Sequence, residues 1–443
     1  MKLNDTAGSQ PENHQQLTVD STRFATSITA VIAVTVLHGM IHGYSIFLSP
    51  LNDQMRQFFG TDSIGAITAM KTTYLVVYAG GNLMFGLLTN RLSPRGTLAA
   101  GMILNGSAVA AFSVVGPDGI GLMHVLWSLA GIGASVYHPI ANALITRLYP
   151  TRKGMVLGVS GVGAAVGFAF APLATSLLAG TVGLAWQQIA LLFGTAGIVV
   201  GVAAWFAIPS VRQVSTIAAE TARSEVSPQM TRENRSSLGV LALTMVIGVA
   251  CLREIAMWSI IDISDFFLTL VLADSTRTGF FLFLFYLPGI FVKPLIGITS
   301  DRVGRKTLAS AALMFYGVTI AAAGVVGPLG LVPIYLLMGT GQAATIPSIE
   351  AIIADGTSDR NRGLVFGVFV TVGTGLGALG PLISGGALDA LGGTLPAFRL
   401  WAVTLGSIPL IGGVILAALR FPVRENLRRR AHENSVQLQD DSP

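Results

Sequence analysis

Long apolar runs broken by short polar stretches organise this chain. The runs fall at 24–48, 64–89, 96–115, 119–146, 154–180, 184–208, 238–261, 276–299, 307–327, 329–354, 363–388 and 396–420. A helix crosses the hydrocarbon core of a bilayer with about 20 mainly apolar residues. The pattern therefore predicts an all-α membrane protein with twelve transmembrane helices. Residues 1–23 are polar and lack a basic segment followed by a short apolar core, so a disordered cytosolic tail without a cleaved signal peptide is expected. Residues 209–237, rich in Ser, Thr, Glu and Arg, are expected as a cytosolic linker, and 421–443 as a second cytosolic tail. The linker divides the apolar chain into 24–208 and 238–420, two six-helix halves of nearly equal length.

Composition agrees. Of 443 residues, 52% are hydrophobic and 11% charged, with a mean hydropathy of +0.68. Soluble domains carry about 25% charged residues, so lipid must be the solvent for most of this chain. The net charge of +5 comes from basic residues set singly between apolar runs, which excludes a nucleic-acid surface. Of the 27 Lys and Arg, 21 fall on the tails and the loops that share their side. Arg56, Arg277 and Arg399 fall opposite, and Lys71, Arg253 and Lys293 lie inside spans. By the positive-inside rule both termini are cytosolic, which suits a multi-pass protein of the cytoplasmic (inner) membrane. Cys251 is the only cysteine, so an intramolecular disulfide and a thiolate metal site are excluded.

The halves repeat. Gly86 to Arg91 maps onto Gly297 to Arg302 at an offset of 211, and Pro139, Gly154, Gly158 and Pro172 map onto Pro347, Gly363, Gly367 and Pro381 at 208 or 209. The stretch Gly297-Ile-Thr-Ser-Asp301-Arg302-Val-Gly304-Arg305-Lys306 resembles the cytoplasmic loop signature of the major facilitator superfamily of secondary transporters. Asp355 and Arg362-Gly363 are similar to a second element of that family. The resemblance covers the chain outside its tails. It implies two pseudo-symmetric six-helix halves, and a cytoplasmic gate formed by Gly297, Asp301, Arg302, Gly304, Arg305, Lys306, Asp355 and Arg362. In that gate the glycine would let helices approach closely, and the charged groups would pair with neighbouring helix ends. Exposed ion pairs are worth about 0 to 1 kcal/mol, suited to a latch that opens in every cycle. The first copy is degraded, with Asn90 in place of the acid and Ser93-Pro94 further on. Gly131 to Pro139 resembles exporters of the fosmidomycin-resistance type, but Ile140 stands where those carry an acid. Trp127 stands where drug–proton antiporters commonly carry an Arg. Gly163, Gly167 and Ala171-Pro172 in span 5, and Gly373, Gly377 and Gly380-Pro381 in span 11, read either as a functional bend or as close helix packing.

Ionisable groups inside spans need a partner or a job, because a charge at mid-membrane costs at least about 2.5 kcal/mol. His38 and His42 are four residues apart, about 40° on the helix wheel, and can face one cavity. Lys71, Tyr74 and Tyr78 align a cation with two hydroxyls, and Lys71 equally reads as snorkelling to the near end of its span. Tyr137 and His138 precede Pro139, where a kink is expected. Arg253, always charged, lies deep in span 7 beside Glu254, and the 211 offset makes it the repeat mate of His42. These nine residues are the expected substrate and coupling site. Lys293 is expected to snorkel, Glu350 to be wetted, and Asp262 and Asp265 to sit at the solvated edge of span 7. The histidines also raise metal transport, but no acid or thiol is placed near them by spacing, so no metal site and no cofactor are expected.

The expectation is a monomeric, proton-coupled alternating-access transporter of a small organic anion, a carboxylate or phosphonate. Efflux of amphipathic drugs is the alternative within the class. A non-transporting sensor or embedded enzyme is the rival of another class. No H-E-x-x-H, G-x-S-x-G or P-loop pattern occurs, so no enzyme and no ATP-driven pump is expected.

Overall fold

The computed structural model describes residues 11–149, 152–210, 213–214, 239–357 and 362–419. Residues 1–10, most of the linker 209–237 and the tail 421–443 lie outside the described residues. In chain order the helices are α1 (Pro11–Ile46), α2 (Asn52–Phe58), α3 (Ile64–Leu88), α4 (Pro94–Ala111), α5 (Ile120–Ser135), α6 (Tyr137–Leu148), α7 (Lys153–Gly180), α8 (Trp186–Ala207), α9 (Val240–Leu272), α10 (Thr278–Tyr286), α11 (Pro288–Val303), α12 (Arg305–Ala323), α13 (Leu331–Asp355), α14 (Arg362–Gly377), α15 (Leu379–Ala390) and α16 (Leu395–Ala418).

Three expected spans are each built of two helices, and prolines account for the breaks. Pro139 and Pro381 cannot donate to the carbonyls four residues back, Ser135 and Gly377, and α5 and α14 end at those residues. The third break, after Tyr286, comes just ahead of Pro288, the first residue of α11.

Two boundaries differ from expectation. α9 runs to Leu272 rather than 261. Asp262 and Asp265 are therefore not at a solvated edge but inside a helix, 1% and 0% exposed. The apolar residues Phe266 to Leu268 and Leu270 to Leu272 carry the helix onward, and both acids find partners described below. α1 begins at Pro11, within the stretch expected to be a tail. Glu12 to Arg23 contains no glycine or proline to stop it.

Eleven helical segments among the described residues are long and apolar enough to cross a membrane. The remaining expected span, α3, has 25 residues, but it buries Lys71, Tyr74, Tyr78 and Asn82, which dilute its apolar character. The outside of the bundle carries large apolar side chains; Leu87 and Val114 are 80% exposed, as a lipid-facing surface requires.

The halves pack alike. α4 lies on α8 as α12 lies on α16, and α1 on α7 as α9 lies on α14 and α15; across the halves α3 meets α15 and α7 meets α10. A Cβ on Gly163 or Gly167 of α7 would overlap the carbonyl oxygen of Thr35 or Gly39 on α1, and one on Gly380 would overlap that of Ile255 on α9. Gly163, Gly167 and Gly380 thus permit close helix packing in lipid, whereas a Cβ on Gly373 would meet only ordinary contact.

Candidate functional site

A cavity of about 680 Å³ lies between the halves. α1, α3, α6 and α7 wall it on one side, and α9, α11, α13 and α14 on the other. It extends toward the face where the described chain begins and ends, at the start of α1 and the end of α16. Gly158 and Glu350 line it, and each is five residues from a helix terminus on that face, about 8 Å at 1.5 Å per residue.

One helical turn separates His38 from His42 on α1, so both rings point the same way, and α6 brings His138 against them. Ring centroids lie 4.8 Å (His38–His42), 5.1 Å (His38–His138) and 5.4 Å (His42–His138) apart. His38 is buried, and its Nδ1 is 2.8 Å from the backbone oxygen of Ser160 and 3.1 Å from its Oγ. Tyr137 does not line the cavity. It stacks on His38 from behind at 4.6 Å, donates to the Val34 carbonyl at 3.0 Å and bonds Ser160 Oγ at 2.8 Å. Tyr74 and Tyr78 line the cavity as expected, with stacked rings 5.9 Å apart.

On the opposite wall Arg253 is 2% exposed. Its guanidinium pairs with Glu254, and its Nε donates to Thr345 Oγ1 at 2.9 Å. Lys293, expected to snorkel, is exposed and lines the cavity, with Glu350 also in the wall. Among the described residues Lys293 makes no ion pair, so it is a cation presented to the cavity. Phe168 joins the walls, 4.5 Å from His42 on one side and stacked on Tyr286 at 4.7 Å on the other.

Lys71 points away from the cavity. Its Nζ bonds the Ser45 carbonyl and lies 3.9 Å from Asp262 Oδ1, both side chains being buried. This pair belongs to a polar layer that joins the halves at the face opposite the chain ends. Ser49 Oγ donates to Asp262 Oδ1 at 3.2 Å and Asn52 Nδ2 to the Asp262 carbonyl at 2.9 Å. The Asp53 N–H donates to Asp265 Oδ2 at 2.8 Å, and Thr278 Oγ1 to Asp265 Oδ1 at 2.7 Å. Asp389 of α15 accepts from the N–H groups of Ile64 (2.7 Å) and Gly65 (2.9 Å) and from Ser63 Oγ (2.6 Å), capping α3 of the other half. A carboxylate at a helix N-terminus is favourably placed in the helix dipole. No sequence motif pointed to Asp389.

At the face of the chain ends the described polar contacts stay within a half. Arg305 Nη1 pairs with Asp355 Oδ2 at 2.5 Å and donates to the Ala351 carbonyl at 3.0 Å. Lys306 Nζ donates to the carbonyls of Ala417 (2.8 Å) and Leu419 (2.6 Å) at the end of α16. In the other half Arg147 Nη2 donates to Asn90 Oδ1 at 2.9 Å, so the degraded copy keeps a helix-end contact without its acid. Gly304, at φ +103°, supplies the turn from α11 to α12 that other residues rarely adopt. Gly297 is not a close-approach glycine here, since a Cβ would meet open space. The side chains of Asp301, Arg302 and Arg362 lie outside the described set.

A cavity between two similar six-helix halves, sealed at one face and reached from the other, is the geometry of alternating access. The family model described as Major Facilitator Superfamily matches residues 24–273 and 255–438. The chain belongs to this superfamily. It is a secondary transporter of small organic substrates, not an enzyme. The oxalate:formate antiporter of Oxalobacter formigenes is 22% identical over 450 residues, covering 96% of this transporter and 99% of the relative. Multidrug resistance protein 1 of Bacillus subtilis is 27% identical over 177 residues, 38% of this chain and 45% of the relative. Among solved structures, a bacterial homolog of the human lysosomal transporter Spinster superposes with a TM-score of 0.70 at 14% identity, covering 87% of this chain and 95% of the other. A D-xylose–proton symporter gives 0.69 at 14% identity, with 88% and 96% covered. These likenesses establish the fold.

Proposed function

We propose that this superfamily member moves a small organic anion, a carboxylate or phosphonate, across the cytoplasmic membrane, coupled to protons and with both termini cytosolic. The observation that carries the reading is Lys293, a cation facing the central cavity with no ion pair among the described residues. An ammonium with no ion pair among the described residues favours an anionic ligand beside it, and Arg253 in the same wall of the cavity adds a guanidinium whose charge cannot be lost. The relative matched along nearly its whole length is an oxalate:formate antiporter, which supports the same substrate class. Glu254, Glu350, His42 and His138 line the cavity and are the groups through which a proton would be exchanged with cargo.

The cycle follows from the two faces. The Lys71–Asp262 pair and the Asp265 and Asp389 hydrogen bonds hold one face shut while cargo enters from the other. The halves then rock so that this layer parts and the gate around Arg305 and Asp355 closes. A second reading, efflux of amphipathic compounds, draws on the apolar part of the lining, Phe168, Met257, Trp258 and Phe369.

A thermal-shift series on the purified transporter tests the choice. Ligand at about 100 times its Kd should stabilise the native state by about 2.7 kcal/mol. The anion reading expects stabilisation by dicarboxylates or phosphonates that disappears in Lys293→Gln. Stabilisation by cationic amphipaths alone, unchanged in that variant, would overturn it.

A further inference from the structure

We propose that His38, His42 and His138 form a binding site for a divalent transition-metal ion in the wall of the central cavity. The ligand nitrogens of the three rings all lie within 4.8 Å of one another. Zinc holds imidazole nitrogen at about 2.0 to 2.1 Å, which places tetrahedral ligands about 3.3 Å apart, so closure requires the rings to move inward by up to about 1.5 Å. His42 and His138 are only half-buried and border the cavity, leaving them room to turn. His38, the buried member, has a second contact of the kind that metal-ligating histidines make. Its Nδ1 meets the Ser160 carbonyl, which can only accept, so Nδ1 carries the proton and Nε2 keeps the lone pair free for a metal. Such an outer hydrogen bond fixes both tautomer and ring orientation. Tyr137 steadies the arrangement by stacking on His38 and bonding Ser160 Oγ.

The chemistry selects the ion. Three neutral imidazoles suit zinc, copper, nickel or cobalt, whereas calcium and magnesium require oxygen ligands. Three protein ligands with a remaining position open to a cavity is also the arrangement of zinc sites that keep an exchangeable ligand. The sequence pattern disfavoured a metal because no acid or thiol lay near these residues, but imidazoles alone complete a three-ligand face once α6 meets α1. All three residues belong to the first half, so bound metal would not lock the two halves together. The site does not depend on the nature of the cargo and is tested without it.

The full-length protein, purified with a tag that contains no histidine, would be titrated with Zn²⁺ by calorimetry and with Co²⁺ by visible absorption. One Zn²⁺ per chain and the d–d bands of a four-coordinate cobalt centre are expected. His42→Gln and His138→Gln should each weaken binding at least 10-fold, as loss of a ligand does, while His124→Gln, which removes a histidine bonded to Thr73, leaves it unchanged. Unfolding scans without metal would show whether the variants remain folded. No metal binding by the native chain, octahedral cobalt only, or binding that survives in folded His42→Gln and His138→Gln would overturn the proposal.

Discussion

Replacing Asp389 by Ala should shift the transporter toward the state open at the face opposite the chain ends. The carboxylate accepts three hydrogen bonds from Ser63, Ile64 and Gly65 across the boundary between the halves, and these can exist only while α15 rests on the start of α3. Hydrogen bonds to a charged group are worth about 1.5 to 3 kcal/mol each. Asp389 is half-buried, so solvent screens part of that, and Ser63 Oγ still caps the Ala66 N–H at 3.0 Å. About 1 kcal/mol for each bond gives roughly 3 kcal/mol in all, about two decades in the equilibrium between the two states. Thr68 reports the change. It is 0% exposed and sits on α3 against Gly385 of α15, where a Cβ would overlap its hydroxyl. In a Cys251→Ser background, Thr68→Cys should react with an impermeant maleimide only when the two helices separate. Adding Asp389→Ala should accelerate labelling by up to about two decades, and Asp389→Asn, which keeps one acceptor oxygen, by less. Equal labelling rates with and without Asp389 would show that its hydrogen bonds do not hold this face shut.

Three further outcomes follow from the same geometry. Gly167→Val should destabilise the fold by about 1 to 3 kcal/mol through overpacking, read as a lower midpoint in thermal unfolding, whereas Gly297→Ala, inside α11 with open space at its Cβ, should hold or raise the midpoint. Lys71→Met leaves Asp262 buried without its cation, a loss of about 3 to 5 kcal/mol, and Asp262→Asn in the same chain should recover much of it. Lys293→Gln should weaken anion binding with no drop in the unliganded unfolding midpoint, because Lys293 makes no ion pair among the described residues to lose.

Much of the architecture was legible because the apolar runs are long and the two halves repeat. The helix breaks at Ser135 and Gly377 were implicit in Pro139 and Pro381. What the pattern could not supply was which way a polar side chain faces. Distance from a span end assigned Lys293 to the lipid edge, but a cavity reaching that face gives a lysine near a helix end a watered wall to occupy. The same measure placed Asp262 and Asp265 at an edge, because it could not tell that α9 continues and that Lys71, Ser49, Asn52 and Thr278 gather around them. Asp389 was invisible for another reason: two of its three donors are backbone N–H groups about 325 residues away in sequence, and backbone donors leave no signature in side-chain chemistry. His38 and His42 could be paired from their spacing, whereas the packing of α6 against α1 that adds His138 is a tertiary fact.

Counterflow in liposomes separates a carrier that takes organic anions through Lys293 from one that does not. Purified transporter would be reconstituted into vesicles loaded with oxalate, and entry of labelled oxalate, formate or a phosphonate from outside would be followed with time. Transient accumulation of at least one of these anions is expected, abolished by Lys293→Gln in a variant that still inserts and folds. No counterflow with any of the three, or accumulation indifferent to Lys293, would contradict the anion reading.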